Sequence, residues 1–146
     1  TLTARENLLV SAVFGRQLPW ADAEIEDEEI FDLVDLSEKR DILAGNLAIL
    51  SLKKLEIARA LARKPELLLL DEVAAGTTEA EIPRILDTLQ KIRAMGITII
   101  IIEHVIKVLV NIADRIVVLD KGTTICTGKP GAVMCDNRVM EAYFGT

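Results

Sequence analysis

Two adjacent carboxylates, Asp71 and Glu72, are the residues of this chain best suited to chemistry. They follow four consecutive leucines, Leu67–Leu70, a run that predicts a β-strand buried on both faces in a parallel sheet. In open α/β sheets, ligands bind just beyond the carboxyl ends of such strands. One acid there can hold a hard cation while the other activates water, as in phosphate-transfer enzymes. A buried strand that ends in an ordinary surface turn would give the same pattern.

Two more strands are predicted downstream, and each ends in polar residues. Ile97–Ile102 is apolar and mostly β-branched and leads into Glu103 and His104, whereas Arg115–Leu119 leads into Asp120. Successive parallel strands joined by helices bring their carboxyl ends to one edge of a sheet. We therefore expect His104 to lie near the two carboxylates, and Glu103 to cap or pair with its own neighbours.

The remaining elements are predicted to be helical. Glu79–Met95 has apolar residues at helical spacing between the first two strands, and Ala4–Phe14 has the same spacing near the start of the chain. Asp22–Asp35 contains eight acids, which we interpret as the solvated face of a helix. Lys53 and Lys54 are expected to be solvated as well. Together these patterns predict an α/β fold with a mostly parallel sheet and a helical N-terminal part.

Composition narrows the classes of partner. A net charge of −6 and an isoelectric point near 4.9 argue against binding nucleic acid, which needs a basic face. No apolar run reaches the roughly 18 residues of a membrane span, so direct membrane insertion is not expected. Cys126 and Cys135 lack metal-ligand spacing and are interpreted as free thiols in a reducing compartment. Unpaired strand edges would favour self-association.

Several motifs, in a fixed order, resemble the ATP-binding subunit of ABC transporters, in particular the branched-chain amino-acid importers. They match that family's helical-subdomain start, signature helix, Walker B strand, D-loop, switch histidine and C-terminus: Thr3–Leu9, Leu55–Ala62, Leu67–Glu72, Ala74–Gly76, Ile102–His104 and Val139–Gly145. The resemblance implies a partial P-loop NTPase core of the ABC ATPase type. It also implies two domains: a helical subdomain at residues 1–50, and the C-terminal part of the α/β core at residues 51–146.

The same resemblance implies roles for individual residues. Asp71 would hold Mg²⁺ through water, Glu72 would orient or deprotonate the attacking water, and His104 would contact the γ-phosphate of ATP. Gly76 would belong to the D-loop at the nucleotide-bearing interface. The implied partners are transmembrane permease subunits and a second ATP-binding subunit. The implied location is cytoplasmic, at the inner face of the cell membrane, where those subunits would hold the protein.

The signature motif departs from its family. The family's Leu-Ser-x-Gly-Gln aligns with Leu47, Ala48, Ile49, Leu50 and Ser51. The glycine of that motif lets the backbone approach a phosphate bound on the opposite subunit. We expect the isobutyl group of Leu50 to crowd that approach. The part of a nucleotide site that this segment would supply to the opposite subunit is therefore expected to be degenerate.

The 146 residues contain no Gly-x-x-x-x-Gly-Lys-Ser/Thr phosphate loop, which supplies the backbone cradle and the lysine for the phosphates. We expect the chain to be a C-terminal fragment that lacks the Walker A and glutamine-loop region, and to bind or hydrolyse ATP weakly or not at all alone. Three functions stay open. The first is a part of an ATP-hydrolysing motor that imports branched-chain amino acids. The second is a non-catalytic remnant or regulatory scaffold that keeps the fold. The third is an unrelated α/β binding protein.

Overall fold

The structure is a computed structural model that describes residues 2–144. The chain divides into two compact units between Ile102 and Glu103. The predicted boundary at residue 50 falls inside the first unit, so the division into a helical subdomain and an α/β core stays a prediction. Gly145, the last residue of the C-terminal similarity, lies outside the described residues. None of the helices between residues 2 and 144 is long and apolar enough to cross a bilayer.

The first unit begins with three helices that pack on one another. They are α1 (Ala4–Arg16), α2 (Trp20–Leu33) and α3 (Ile49–Leu61), with single 3₁₀ turns at Ser37–Lys39 and Ala44–Asn46. Thr3 and Glu6 form a capping box at the start of α1, where each side chain accepts a hydrogen bond from the other residue's backbone N–H. The helices predicted from Ala4 and from Asp22 are confirmed as α1 and α2.

The solvated helix face predicted for Asp22–Asp35 is confirmed for most of its acids, which are exposed, but Asp27 is buried and several of the acids form ion pairs with other elements. Asp27 is buried and pairs with Arg5 of α1, while Glu26 pairs with Arg16 of α1 and with Lys64 just after α3. Three further acids pair with basic residues of the same unit: Glu24 with Arg5, Glu28 with Arg40, and Asp35 with Lys54. Sequence spacing does not reveal these partners because they come from other elements.

The first unit ends with a parallel β-α-β arrangement. Strand β1 (Leu67–Asp71) leads through α4 (Ile82–Ala94) to β2 (Thr98–Ile102), and β1 and β2 pair in parallel. Helix α4 begins three residues later than predicted because Thr78–Glu81 forms a turn, and Pro83 lies in its first turn, where the missing N–H does no harm. Gly96 ends it with a φ of 84°, in the left-handed region that favours glycine.

Strand β1 is buried on one face only, which corrects the prediction of a strand covered on both sides. Leu68 and Leu70 are buried, whereas Leu67 and Leu69 are exposed. The leucine run predicted the strand correctly but not the burial of its two faces, because burial depends on what packs against each face.

The second unit contains a hairpin and three short helices. Its elements are α5 (Ile106–Ile112), β3 (Ile116–Asp120), β4 (Thr123–Gly128), α6 (Pro130–Val133) and α7 (Asn137–Phe144). The prediction of β3 as a third parallel strand was wrong: in the described part of the chain, β3 pairs with β4 and β1 pairs with β2. Lys121 and Gly122 both have positive φ, so the two-residue turn reverses the chain directly. Ile116, Val118, Val133 and Val139 form the core of this unit.

Candidate functional site

The two predicted carboxylates lie at the carboxyl end of the parallel strand pair. Asp71 is the last residue of β1 and is in register with Ile102, the last residue of β2. The N–H of Glu72 donates to the carbonyl oxygen of Ile102 at 2.9 Å, which extends the pairing by one residue. Asp71 and Glu72 are both exposed. The strands therefore present both acids at the edge where ligands bind in α/β sheets.

Glu72 is held in a left-handed backbone conformation, with a φ of 50°. This region disfavours residues with a Cβ, at a cost of about 1–2 kcal/mol. Buried Val73 and Ala74 follow it, and the N–H of Ala75 donates to the carbonyl oxygen of Glu72 at 3.0 Å. The surrounding turn thus imposes the conformation, as is common for strained residues at functional sites.

Gly76 brings the turn after Glu72 against the start of α3. Its φ is 75°, and a Cβ added to it would lie 3.4 Å from Cγ2 of Ile49. The hydroxyl of Thr77 donates to the carbonyl oxygen of Ala74 at 2.8 Å and closes the turn. The structure therefore places the D-loop-like segment and the signature-like segment in contact within the first unit.

The signature-like segment is partly buried within the first unit. Leu47 and Leu50 are buried, and the crowding of a partner's phosphate by Leu50 stays a prediction. The exposed apolar side chain at the start of α3 is Ile49. The buried hydroxyl of Ser51 accepts a hydrogen bond from the Lys39 ammonium at 2.8 Å. Ala48 precedes the helix without a side-chain cap.

Lys54 is a residue whose role the sequence analysis missed. It is buried, and its ammonium donates to Asp35 at 3.0 Å. This hydrogen bond lowers the pKa of the Asp35 carboxyl. The signal was present in the sequence, because Lys54 occupies the same helical stripe as the buried residues Leu50, Ala58 and Leu61. The pair ties the signature-like helix to the segment that follows α2.

His104 belongs to the second unit. The carboxylate of Glu103 accepts hydrogen bonds from the backbone N–H groups of His104 and Val105, at 3.0 and 3.1 Å, which confirms the local capping role predicted for Glu103. One Glu103 oxygen also lies 3.9 Å from Nδ1 of His104, whose side chain is largely exposed. The approach of His104 to Asp71 and Glu72 stays a prediction.

The acid pair suits a magnesium ion only when a bound nucleotide supplies further ligands to that ion. In residues 2–144, no three His, Cys, Asp or Glu side chains are close enough to hold a metal ion by themselves. Magnesium in nucleotide sites usually takes one or two carboxylates together with phosphate oxygens and water. The exposed carboxylate of Asp71, at the end of its strand, suits that arrangement.

Comparison with solved structures identifies the fold. The chain matches the ADP conformation of MJ1267, an ATP-binding cassette of an ABC transporter, with a TM-score of 0.87 and 28% identity, over 99% of this chain and 63% of that one. It has part of the ABC ATPase cassette fold. A nucleotide-free ATP-binding cassette from an ABC transporter matches with a TM-score of 0.80. No family model matches the chain.

The curated relatives are ATP-binding proteins of ABC transporters. The high-affinity branched-chain amino acid transport ATP-binding protein BraF of Pseudomonas aeruginosa is 35% identical over 77% of this chain and 44% of its own length. The lipopolysaccharide export system ATP-binding protein LptB of Haemophilus influenzae is 30% identical over 99% of this chain and 60% of its own length. The chain thus spans about half the length of the curated relatives that it matches.

Proposed function

We propose that this chain is the part of an ABC transporter's ATP-binding subunit that carries the hydrolytic carboxylates, and that the subunit hydrolyses ATP to drive import of branched-chain or similar amino acids. The observation that carries the proposal is the pair Asp71 and Glu72 at the carboxyl end of two parallel strands, within a cassette fold. The name of BraF supports the transported class, while that of LptB indicates a different cargo for another relative.

Each residue at the strand ends has a distinct proposed role. Magnesium-bound ATP supplies the reactive phosphoryl group. Asp71 would hold the magnesium ion through water, which its exposed position allows. Glu72 orients a water molecule and accepts its proton, a function in which a positioned carboxylate typically contributes about 10²–10⁴ in rate. His104 donates a hydrogen bond to the terminal phosphate.

The segment Leu47–Ser51 and Gly76 are proposed to face nucleotide bound by a second ATP-binding subunit. The contact between Ile49 and the Gly76 position supports a shared surface for the two segments. We further propose transmembrane permease subunits as partners, at the cytoplasmic face of the membrane. The net charge of −6 argues against nucleic acid as a partner.

A second candidate function is a non-catalytic or regulatory subunit that keeps the cassette fold. The signature-like segment favours it: Ser51 is buried and hydrogen-bonded to Lys39, and Ile49 projects from the helix start. A segment that cannot contact a phosphate on a partner would not support turnover.

Two measurements test the proposal, and the second separates the two functions. Calorimetry on the 146-residue polypeptide should give weak or no ATP binding, and submicromolar binding would contradict our expectation.

A complete subunit, made by preceding this chain with the phosphate-loop region of BraF, should hydrolyse ATP. Glu72→Gln should lower that rate by about 100-fold or more without weakening ATP binding. Glu79→Gln, at an exposed acid in the next turn, is the matched control and should leave the rate unchanged. A complete subunit that binds ATP but does not hydrolyse it would support the non-catalytic function instead.

A further inference from the structure

The turn that runs from Glu72 to Thr77 is closed by its own hydrogen bonds. The N–H of Ala75 donates to the carbonyl oxygen of Glu72 at 3.0 Å, and the N–H and the hydroxyl of Thr77 both donate to the carbonyl oxygen of Ala74, at 3.2 and 2.8 Å. Glu72 and Gly76 have φ angles of 50° and 75°, so the backbone is left-handed near both ends of the turn. These constraints make the turn one unit, and a displacement at Gly76 is expected to reach Glu72.

Ile49 meets this turn from the start of α3. A Cβ added at Gly76 would lie 3.4 Å from Cγ2 and 3.6 Å from Cδ1 of Ile49. In the described part of the chain, and leaving aside the two neighbours of Gly76 in sequence, no other residue comes within 4 Å of that Cβ position. Ile49 is the first residue of α3, and a β-branched side chain in a helix has one strongly preferred χ1 rotamer. The helix therefore holds the Cγ2 methyl group in place against the turn.

The rest of the signature-like segment offers no comparable side chain. Leu47, Leu50 and Ser51 are buried, and Ala48 has only a methyl group. Ile49 is therefore the residue through which this segment supports the turn.

We propose that Ile49 is a positioning residue for Glu72. Its Cγ2 methyl group supports Gly76, and the closed turn passes this support to Glu72. The inference rests on the proposed function for the catalytic task of Glu72, and it goes beyond it by giving the signature-like segment a role within its own subunit. A catalytic group has to be held within about 0.5 Å of its productive position, and a displacement of about 1 Å can cost about 100-fold in rate. Loss of one supporting contact is therefore enough to slow hydrolysis.

Three substitutions at Ile49 separate support by Cγ2 from simple hydrophobic bulk. Ile49→Val keeps Cγ2 and loses Cδ1, Ile49→Leu keeps the size of the side chain without a branch at Cβ, and Ile49→Ala loses both methyl groups. If Cγ2 positions Glu72, the valine variant should behave as the wild-type chain does, and the leucine variant as the alanine variant does. Hydrophobic bulk alone would leave leucine closest to wild type. The matched control is Ile25→Ala, because Ile25 is 76% exposed on α2.

The first readout is the NMR spectrum of the 146-residue chain, which needs no nucleotide. The leucine and alanine variants of Ile49 should shift the amide signals of Glu72 and Ala75, and hydrogen exchange of the Ala75 N–H should become about tenfold faster. The valine variant and the control should leave both unchanged. Unshifted amide signals in α1 and α2 will show that each variant is folded.

The second readout is ATP hydrolysis by the complete subunit. The leucine and alanine variants of Ile49 should lower kcat about tenfold or more, while the affinity for ATP changes less than about twofold. The valine variant should restore the wild-type rate. A residue that only stabilises the fold would not separate rate from affinity in this way.

Several outcomes would overturn the positioning role. They are a leucine variant that matches the wild-type chain, a valine variant as impaired as the alanine variant, and equal effects of Ile49→Ala and Ile25→Ala. A normal rate in a leucine variant whose Glu72 amide signal has shifted would also overturn it. The proposed function fails separately: a complete subunit that does not hydrolyse ATP refutes catalysis, while the amide signals of Glu72 still decide whether Ile49 supports the turn.

Discussion

Replacing Arg5 by methionine should destabilise the first unit much more than the loss of an ordinary surface ion pair. The side chain of Asp27 is only 3% exposed and pairs with Arg5, which is 35% exposed. Arg5→Met keeps most of the aliphatic volume but leaves a buried carboxylate without its cation. Stranding one partner of a buried pair costs about 3–5 kcal/mol. Because Arg5 is partly hydrated, we expect about 3 kcal/mol, at the lower end.

The assay is equilibrium unfolding in urea, followed by the fluorescence of Trp20. Trp20 is the only tryptophan and begins α2, the helix that carries Asp27, so its signal reports on the first unit. The matched control is Arg40→Met. Arg40 pairs with Glu28 at 3.6 Å, and their side chains are 38% and 70% exposed, so we expect a loss of about 0.5 kcal/mol. If Arg5→Met and Arg40→Met cost the same, within error, the buried pair does not stabilise the helices and our account of α2 is refuted.

Three further predictions concern other groups. Hydrogen bonds from two basic side chains lower the pKa of Glu26 from 4.5 to about 2, so its stabilisation is complete above pH 4.5 and is lost as the pH falls through about 2. In Glu26→Gln, the free energy of unfolding should therefore fall less steeply as the pH is lowered below 4.5. An unchanged fall would contradict the stabilising role of the Glu26 carboxylate. Glu72→Gly should be more stable than Glu72→Ala by about 1 kcal/mol in the same urea assay, because only alanine has a Cβ at positive φ. Gln17 is exposed and has a φ of 55°, so Gln17→Gly should likewise be more stable than Gln17→Ala. Burial, followed by a hydrogen bond to a nearby carboxylate, raises the pKa of the Cys126 thiol, so a disulfide reagent should modify exposed Cys135 first. Equal rates in Cys126→Ser and Cys135→Ser would contradict this order.

Local features of the sequence predicted the elements around the acid pair well. Apolar β-branched and leucine runs gave β1 and β2, and Gly96 marked the end of α4 through its positive φ. The local cap made by Glu103 was also predicted, because a carboxylate next to a helix start readily accepts backbone N–H groups. These features depend on residues that are close together in the chain.

Features set by distant residues were not predictable in the same way. The hairpin of β3 and β4 is not among them, because the local Lys121–Gly122 turn indicates it. The burial of Lys54 and the ion pair of Asp27 required partners from other helices. The exposure of Leu69 was not predictable from the leucine run, because burial depends on what packs against each face of the strand.

The central claim is that Asp71, Glu72 and His104 act at one site, and manganese-induced broadening in NMR spectra tests it most directly. His104 is the only histidine, so its imidazole signals are assigned without ambiguity. Manganese can replace magnesium at carboxylates, and its unpaired electrons broaden the signals of nearby protons. We predict that Mn²⁺ added together with ATP broadens the His104 imidazole signals of the complete subunit, with isotope labels confined to these 146 residues, and that Asp71→Asn removes the effect. Broadening of the amide signals of residues 71 and 72 without any change at His104 would contradict the claim.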